Sequence, residues 1–111
     1  MAKMTPKVID NQLYLPESTE PVCTIESPAW FAWLGQANAF RYHSQQRRHV
    51  FRGYGPRFTP ISLRKEKRRR GSLWYAYRRS YRVLHKRYVG KSEVLTHDRL
   101  EEIARVLNEV D

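Results

Sequence analysis

The chain has 111 residues, 41% hydrophobic and 13% aromatic, with 21 lysines and arginines against 11 acids for a net charge of +10. That length holds one domain with a single modest core, and the apolar share is that of a folding chain rather than a disordered one. A lone cysteine, Cys23, excludes an internal disulfide and a thiolate metal cluster, and the longest apolar run, residues 29–34, is too short to cross a bilayer.

The charge is unevenly placed. Within residues 57–91 there are 13 basic residues and a single acid, Glu66, whereas residues 1–45 carry a net charge of −1. A focused basic patch attracts polyanions and argues for a defined binding face more than for general solubility. The start, MAKMTPKVIDNQ, lacks the apolar segment of a secretory signal. The expectation is a cytoplasmic protein, nucleoid-associated if its ligand is DNA, with no membrane partner.

Taken in order, VIDNQLYL supplies an edge strand through Val8, Ile9, Leu13 and Leu15, with PESTEP (16–21) as a turn and residues 22–25 returning. SPAWFAWLGQ, 27–36, predicts a short helix. Ser27 suits the N-cap and Pro28 the first helical position, where its missing N–H is no loss. Trp30, Trp33 and Leu34 fall on one face of that helix, which points to the core rather than to base stacking. AFRYH, 39–43, alternates as a strand does. The polar, glycine-containing 44–57 predicts a long loop with a short strand at 49–52; its Arg47 and Arg48 are candidates for a clamp on a phosphate backbone, or the loop is simply mobile.

The stretch RKEKRRRGSLWYAYRRSYRVLHKRYVG, 64–90, interleaves cations with aromatics at strand spacing. Three antiparallel strands are expected at 58–68, 73–79 and 82–89, with turns at 69–72 and 80–81. In the first, Ile61 and Leu63 share one face and Ser62, Arg64, Glu66 and Arg68 the other. In the second, Trp74 beside the small Ala76 suits a floor under a helix, which leaves Tyr75, Tyr77 and Arg79 outward. In the third, Val83 and Val89 make the better core pair, which exposes Lys86 and Tyr88; a bulge would invert this register. Thr96 caps a terminal helix, THDRLEEIARVLNEV. Its apolar stripe is Leu100, Ile103, Ala104, Leu107 and Val110, and Leu95 meets Leu100 as a hydrophobic staple.

From 58 to 110, the order basic strand, WYAYRR, short turn, HKRYVGK and THDRLEEIARVL resembles three-stranded-sheet-plus-helix DNA-binding modules. Among these are the ethylene-response-factor domain and the arm-binding domain of tyrosine-recombinase integrases. The stretch is also similar to a leader module of some bacterial LuxR-type regulators. The resemblance implies an exposed sheet face in the major groove of double-stranded DNA. Tyr75, Tyr77 and Arg79 then fall on contacting positions of the second strand, and Lys86 and Tyr88 on those of the third. The basic run is longer than the family's, and Arg64, Lys65, Lys67, Arg68 and Arg69 stay divided between base reading and phosphate anchoring. Residues before 58 have no counterpart in that family.

The expected architecture is therefore α+β. A small antiparallel sheet, possibly extended by N-terminal strands, packs on a C-terminal helix, with a short N-terminal helix besides. The expected function is a small DNA-binding protein, a transcription regulator or a mobile-element accessory factor, that needs no cofactor or metal. RNA binding, and an adaptor that docks a larger protein machine, are the competing readings. Histidines at 43, 49, 85 and 97 lack metal-ligand spacing, and no phosphate-binding glycine loop is present, so catalysis is not expected.

Overall fold

The computed structural model describes residues 4–109. Its class is α+β, and its main sheet is larger than the three strands expected: seven strands in the order β3-β2-β1-β4-β7-β8-β9, beside a separate two-stranded sheet β5-β6. The strands are β1 (Lys7–Ile9), β2 (Gln12–Tyr14), β3 (Cys23–Thr24), β4 (Ala39–His43), β5 (Arg47–Val50), β6 (Gly53–Arg57), β7 (Ile61–Arg68), β8 (Gly71–Ser80) and β9 (Val83–Gly90). Helix α1 spans Pro28–Gln36 and α2 spans His97–Asn108. The N-terminal half is built into the same sheet as the basic strands, because β4 pairs antiparallel with β7 and parallel with β1.

Both helices begin where the side chains can cap them. Ser27 Oγ accepts from the Trp30 amide at 3.2 Å, and Thr96 Oγ1 from the Arg99 amide at 3.4 Å. Leu95 and Leu100 are fully buried, as a staple requires. Val110 lies outside the described residues.

The helices share one face of the sheet and cover its central part. Trp30 stacks on Trp33 at 5.6 Å and meets Phe40 edge-on at 5.3 Å; Phe40 in turn meets Trp74 at 5.4 Å. Such aromatic pairs add about 0.5–1.5 kcal/mol each beyond the area they bury. Trp30 also donates its indole N–H to the Leu95 carbonyl at 2.9 Å, joining α1 to the approach of α2. The tryptophans of α1 therefore belong to the core, with Trp33 half-buried at its margin. Under α2, Asn108 is completely buried; it accepts from the Thr59 amide at 2.8 Å and donates to the carbonyls of Thr59 and Ala104 at 3.1 and 2.9 Å.

Several elements depart from expectation for identifiable reasons. VIDNQLYL is a hairpin rather than one strand: Asp10 and Asn11 take positive φ of 52° and 64°, a two-residue reversal that side-chain amides and carboxylates tolerate. Residues 22–25 do return, as β3 against β2. The 44–57 segment is a hairpin, not a loop, turned at Phe51 and Arg52 with Gly53 at φ 144°. Strand β7 starts at Ile61, after Pro60, and the turns fall at residues 69–70 and 81–82. Val83 is the clearest correction to the core: it lies on the helix-side face but is 55% exposed, because α2 does not reach that far, whereas Val89 is buried. Strand alternation turns Val89 inward while Tyr88 stays outward, and a register shift between Trp74 and Tyr75 sets Gly90 rather than Val89 opposite Trp74.

A candidate nucleic-acid interface

With both helices on one side, no other described element covers the opposite side of the sheet. Alternation along each strand and the cross-strand register decide what it presents. One row runs Tyr14, Lys7, Arg41, Ser62, Tyr77, Lys86 across β2, β1, β4, β7, β8 and β9. A second runs Ala39, Arg64, Tyr75, Tyr88. Arg68 extends the face at one end, and Arg79 beside Leu84 at the other.

The face is shaped as well as charged. Two depressions flank the line Arg41, Ser62, Arg64. One, of about 560 Å³, reaches over Lys7 and His43; the other, of about 520 Å³, reaches over Tyr77, Arg79 and Leu84. Partial burial first, then the charges of Lys7 and Arg41, holds the His43 imidazole below its ordinary range.

Glu66 is the single acid among the basic strands, and it organises their middle. It accepts a hydrogen bond from the Tyr77 hydroxyl and forms ion pairs with Arg68 at 2.7 Å and Lys86 at 3.0 Å. Those bonds, led by the one from Tyr77, hold its pKa below the ordinary carboxylate range. Lys86 Nζ lies 4.4 Å from the Tyr75 ring centroid and 5.5 Å from that of Tyr77. Arg68 and Arg64 sit over the same two rings at 5.3 and 5.9 Å, and Tyr88 meets Tyr75 edge-on at 5.6 Å. The tyrosines are thus held in place by cations, with those ring faces already occupied.

The expected site residues sort by position. Arg64, Arg68, Tyr75, Tyr77, Arg79, Lys86 and Tyr88 share the open face. Lys65 does not: it lies opposite Trp74 on the helix side, 5.3 Å from that ring, and donates to the Leu34 and Gly35 carbonyls at 2.6 and 3.2 Å. A cation on the unsatisfied carbonyls of a helix C-terminus is a structural arrangement, and it removes Lys65 from the interface. Lys67 points to the helix side too, though exposed, and Arg69 stands in the turn. Arg47 and Arg48 are on the separate hairpin.

Lys7 and Arg41 complete the face without having been singled out. Arg41 was within reach of the alternation, since inward Phe40 and Tyr42 require it to point outward. Lys7 was hidden by the unrecognised hairpin.

The ends of the sheet narrow to ribbons. Beyond Arg64, β7 has no partner in β4, and β9 ends opposite Trp74, so residues 66–73, past the tied Lys65 and the buried Trp74, project as two strands tipped by Arg69 and Arg70. No group of three or more metal-ligating side chains occurs among the described residues, and no helix is long and apolar enough to span a membrane. No protein-family model, curated protein or solved structure matches the chain.

Proposed function

We propose that the protein binds double-stranded DNA through the open face of its main sheet, as a regulator or as an accessory factor of a mobile element. The observation that carries the reading is the co-facial set of Lys7, Arg41, Arg64, Arg68, Arg79 and Lys86 on a sheet side that no other described element covers. Seven strands spaced about 4.8 Å apart make a face roughly 29 Å wide. That is too broad for a major groove of about 12 Å, which admits a two-stranded ribbon. The division of labour follows from those widths. The broad face rests on phosphates and fixes orientation, while the 66–73 ribbon, with Arg68, Arg69 and Arg70 at its end, enters the groove.

Duplex is favoured over single strands by the state of the tyrosines. A base stacking on Tyr75 or Tyr77 would displace Lys86, Arg64 or Arg68 from the ring. Phosphates, by contrast, meet those cations where they already stand.

The test is competition binding of duplex DNA, single-stranded DNA and single-stranded RNA across a salt series. Duplex is expected to win. Arg69→Ala and Arg70→Ala, at the ribbon tip, are expected to weaken binding to a selected site more than to random duplex, whereas Arg79→Ala and Tyr77→Ala on the broad face are expected to weaken both alike. Unchanged affinity in the face variants rejects the sheet-face reading, and an unchanged ratio in the tip variants rejects groove entry by the ribbon. Preference for single-stranded RNA would replace it with base stacking, and no binding at low salt would leave a protein-docking role.

A further inference from the structure

The β5–β6 hairpin forms a sheet of its own, and the open face makes no use of it. We infer that this hairpin is a second nucleic-acid contact, in which Phe51 wedges between base pairs from the minor groove while Arg47 and Arg57 hold the flanking phosphates. The inference rests on the DNA-binding reading above and concerns a different part of the surface.

Three observations carry it. Phe51, at the turn, is 90% exposed with the Arg52 guanidinium 5.5 Å from the centroid of its ring, and Tyr54 behind it, edge-on to His49, is 75% exposed; neither ring belongs to the core, and the one cation at Phe51 sits on the arm that delivers it. Arg47 and Arg57 are direct cross-strand partners on an exposed hairpin. Like charges in that position destabilise a hairpin unless an anion lies between them. Residues 44–60 contain no acid to serve as that anion, and the same segment adds Arg48 and Arg52.

The hairpin is firm at its root and free at its tip. Ser44 and Gln46 both donate to the Glu101 carboxylate, Phe58 is buried, and Asn108 holds Thr59. Near the tip, Val50 lies across Gly55, where a β-carbon would come within 2.9 Å of Val50 Cγ1. Four strand residues reach about 14 Å, more than the minor-groove depth of about 7.5 Å. An apolar ring delivered by a stiff basic arm matches the way wedge residues unstack a base step. Charge complementarity selects a polyanion over a neutral apolar partner.

The experiment uses the full chain with a short mixed-sequence duplex carrying 2-aminopurine, whose fluorescence rises when its neighbours unstack. The native protein is expected to raise that signal. Phe51→Ala is expected to abolish the rise while changing affinity less than tenfold and leaving the salt dependence intact. Arg47→Gln with Arg57→Gln is expected to lower the salt slope by about two. An unchanged 2-aminopurine signal in Phe51→Ala overturns the wedge. So does a Phe51→Trp emission that shifts to the blue with phosphatidylglycerol vesicles and not with duplex, which would mark a lipid contact. If tip variants are silent while open-face variants lose binding, this inference alone fails; if the native protein binds no duplex, both readings fall.

Discussion

Arg41→Gln isolates the electrostatic contribution of the open face, because Arg41 is exposed, sits between the two depressions and comes from the half of the chain that lacks the basic run. The face carries six cations, Lys7, Arg41, Arg64, Arg68, Arg79 and Lys86, with Glu66, paired to Arg68 and Lys86, offsetting one charge. Neutralising about five phosphates contributes about −4.5 to the slope of log K on log salt, so raising salt from about 50 to about 200 mM should weaken duplex binding by at least about 500-fold. Removing one contact should make the slope shallower by about 0.9 and the loss about 3.5-fold smaller, equally for any sequence. Fluorescence anisotropy of a labelled duplex over that salt range reads both values, and a thermal melt checks that the fold is unchanged. A native loss below about tenfold, or a slope that Arg41→Gln does not move, would refute the assignment of this face to phosphates.

Four further outcomes follow from the same geometry. Nucleic acid on the open face should raise the His43 pKa, since phosphate charge offsets Lys7 and Arg41; NMR titration with and without duplex measures it, and no shift would place the ligand elsewhere. Lys65→Met should lower stability by about 1 kcal/mol through the α1 carbonyls it leaves, with an unchanged salt slope, whereas an interface lysine would show the reverse pattern. Asn108→Ala should cost about 2–4 kcal/mol, because the buried Thr59 tie and the Ala104 contact are lost together. In a melt this means a drop of roughly 10 °C or more, and a change of only a degree or two would contradict the hydrogen-bond count. Burial opposes ionisation of Glu101, yet hydrogen bonds from Tyr42, Gln46 and Ser44 and the nearby His97 hold its carboxyl below the ordinary range. Its stabilisation is therefore complete above the unfolded value of about 4.3 and is lost as pH falls through the lower folded value. Glu101→Gln should flatten that acid limb in equilibrium unfolding, and an acid limb as steep as the native one would count against it.

How much of this was legible in the chain depends on how local each signal is. Ser27-Pro28 and Thr96 mark helix starts through their own side chains, and both helices begin there. The division of Trp74 and Ala76 from Tyr75 and Tyr77 needed only the two-residue period of a strand. The parallel pairing of β1 with β4 had no local mark, because its partners are more than thirty residues apart. The reversal expected at 80–81 falls one residue later, at Tyr81 and Arg82 with φ of 50° and 70°, where no glycine or asparagine marks it, and the turn at Phe51 and Arg52 reads as loop in the sequence although Gly53 follows it. There the paired strands impose the turn and the backbone bears the strain. Val83 was oriented correctly and still misjudged, since no local pattern reports how far a helix on another part of the chain extends.

Strand β9 is an outer strand of the main sheet, eight residues long. Arg99 of α2 donates to the Tyr88 and Val89 carbonyls at 3.2 Å and so covers one end of that edge. Along the rest, Arg82, His85, Lys86 and Arg87 line the border, and two copies approaching edge to edge would bring like charges together. Mobile ions weaken that repulsion as they weaken attraction to phosphate. Purification at high salt, the usual means of stripping nucleic acid from a basic protein, would therefore also lift the barrier to self-pairing. Light scattering should find the chain most disposed to associate where it is cleanest of polyanion, and least where salt is low or the edge is shielded by a bound duplex.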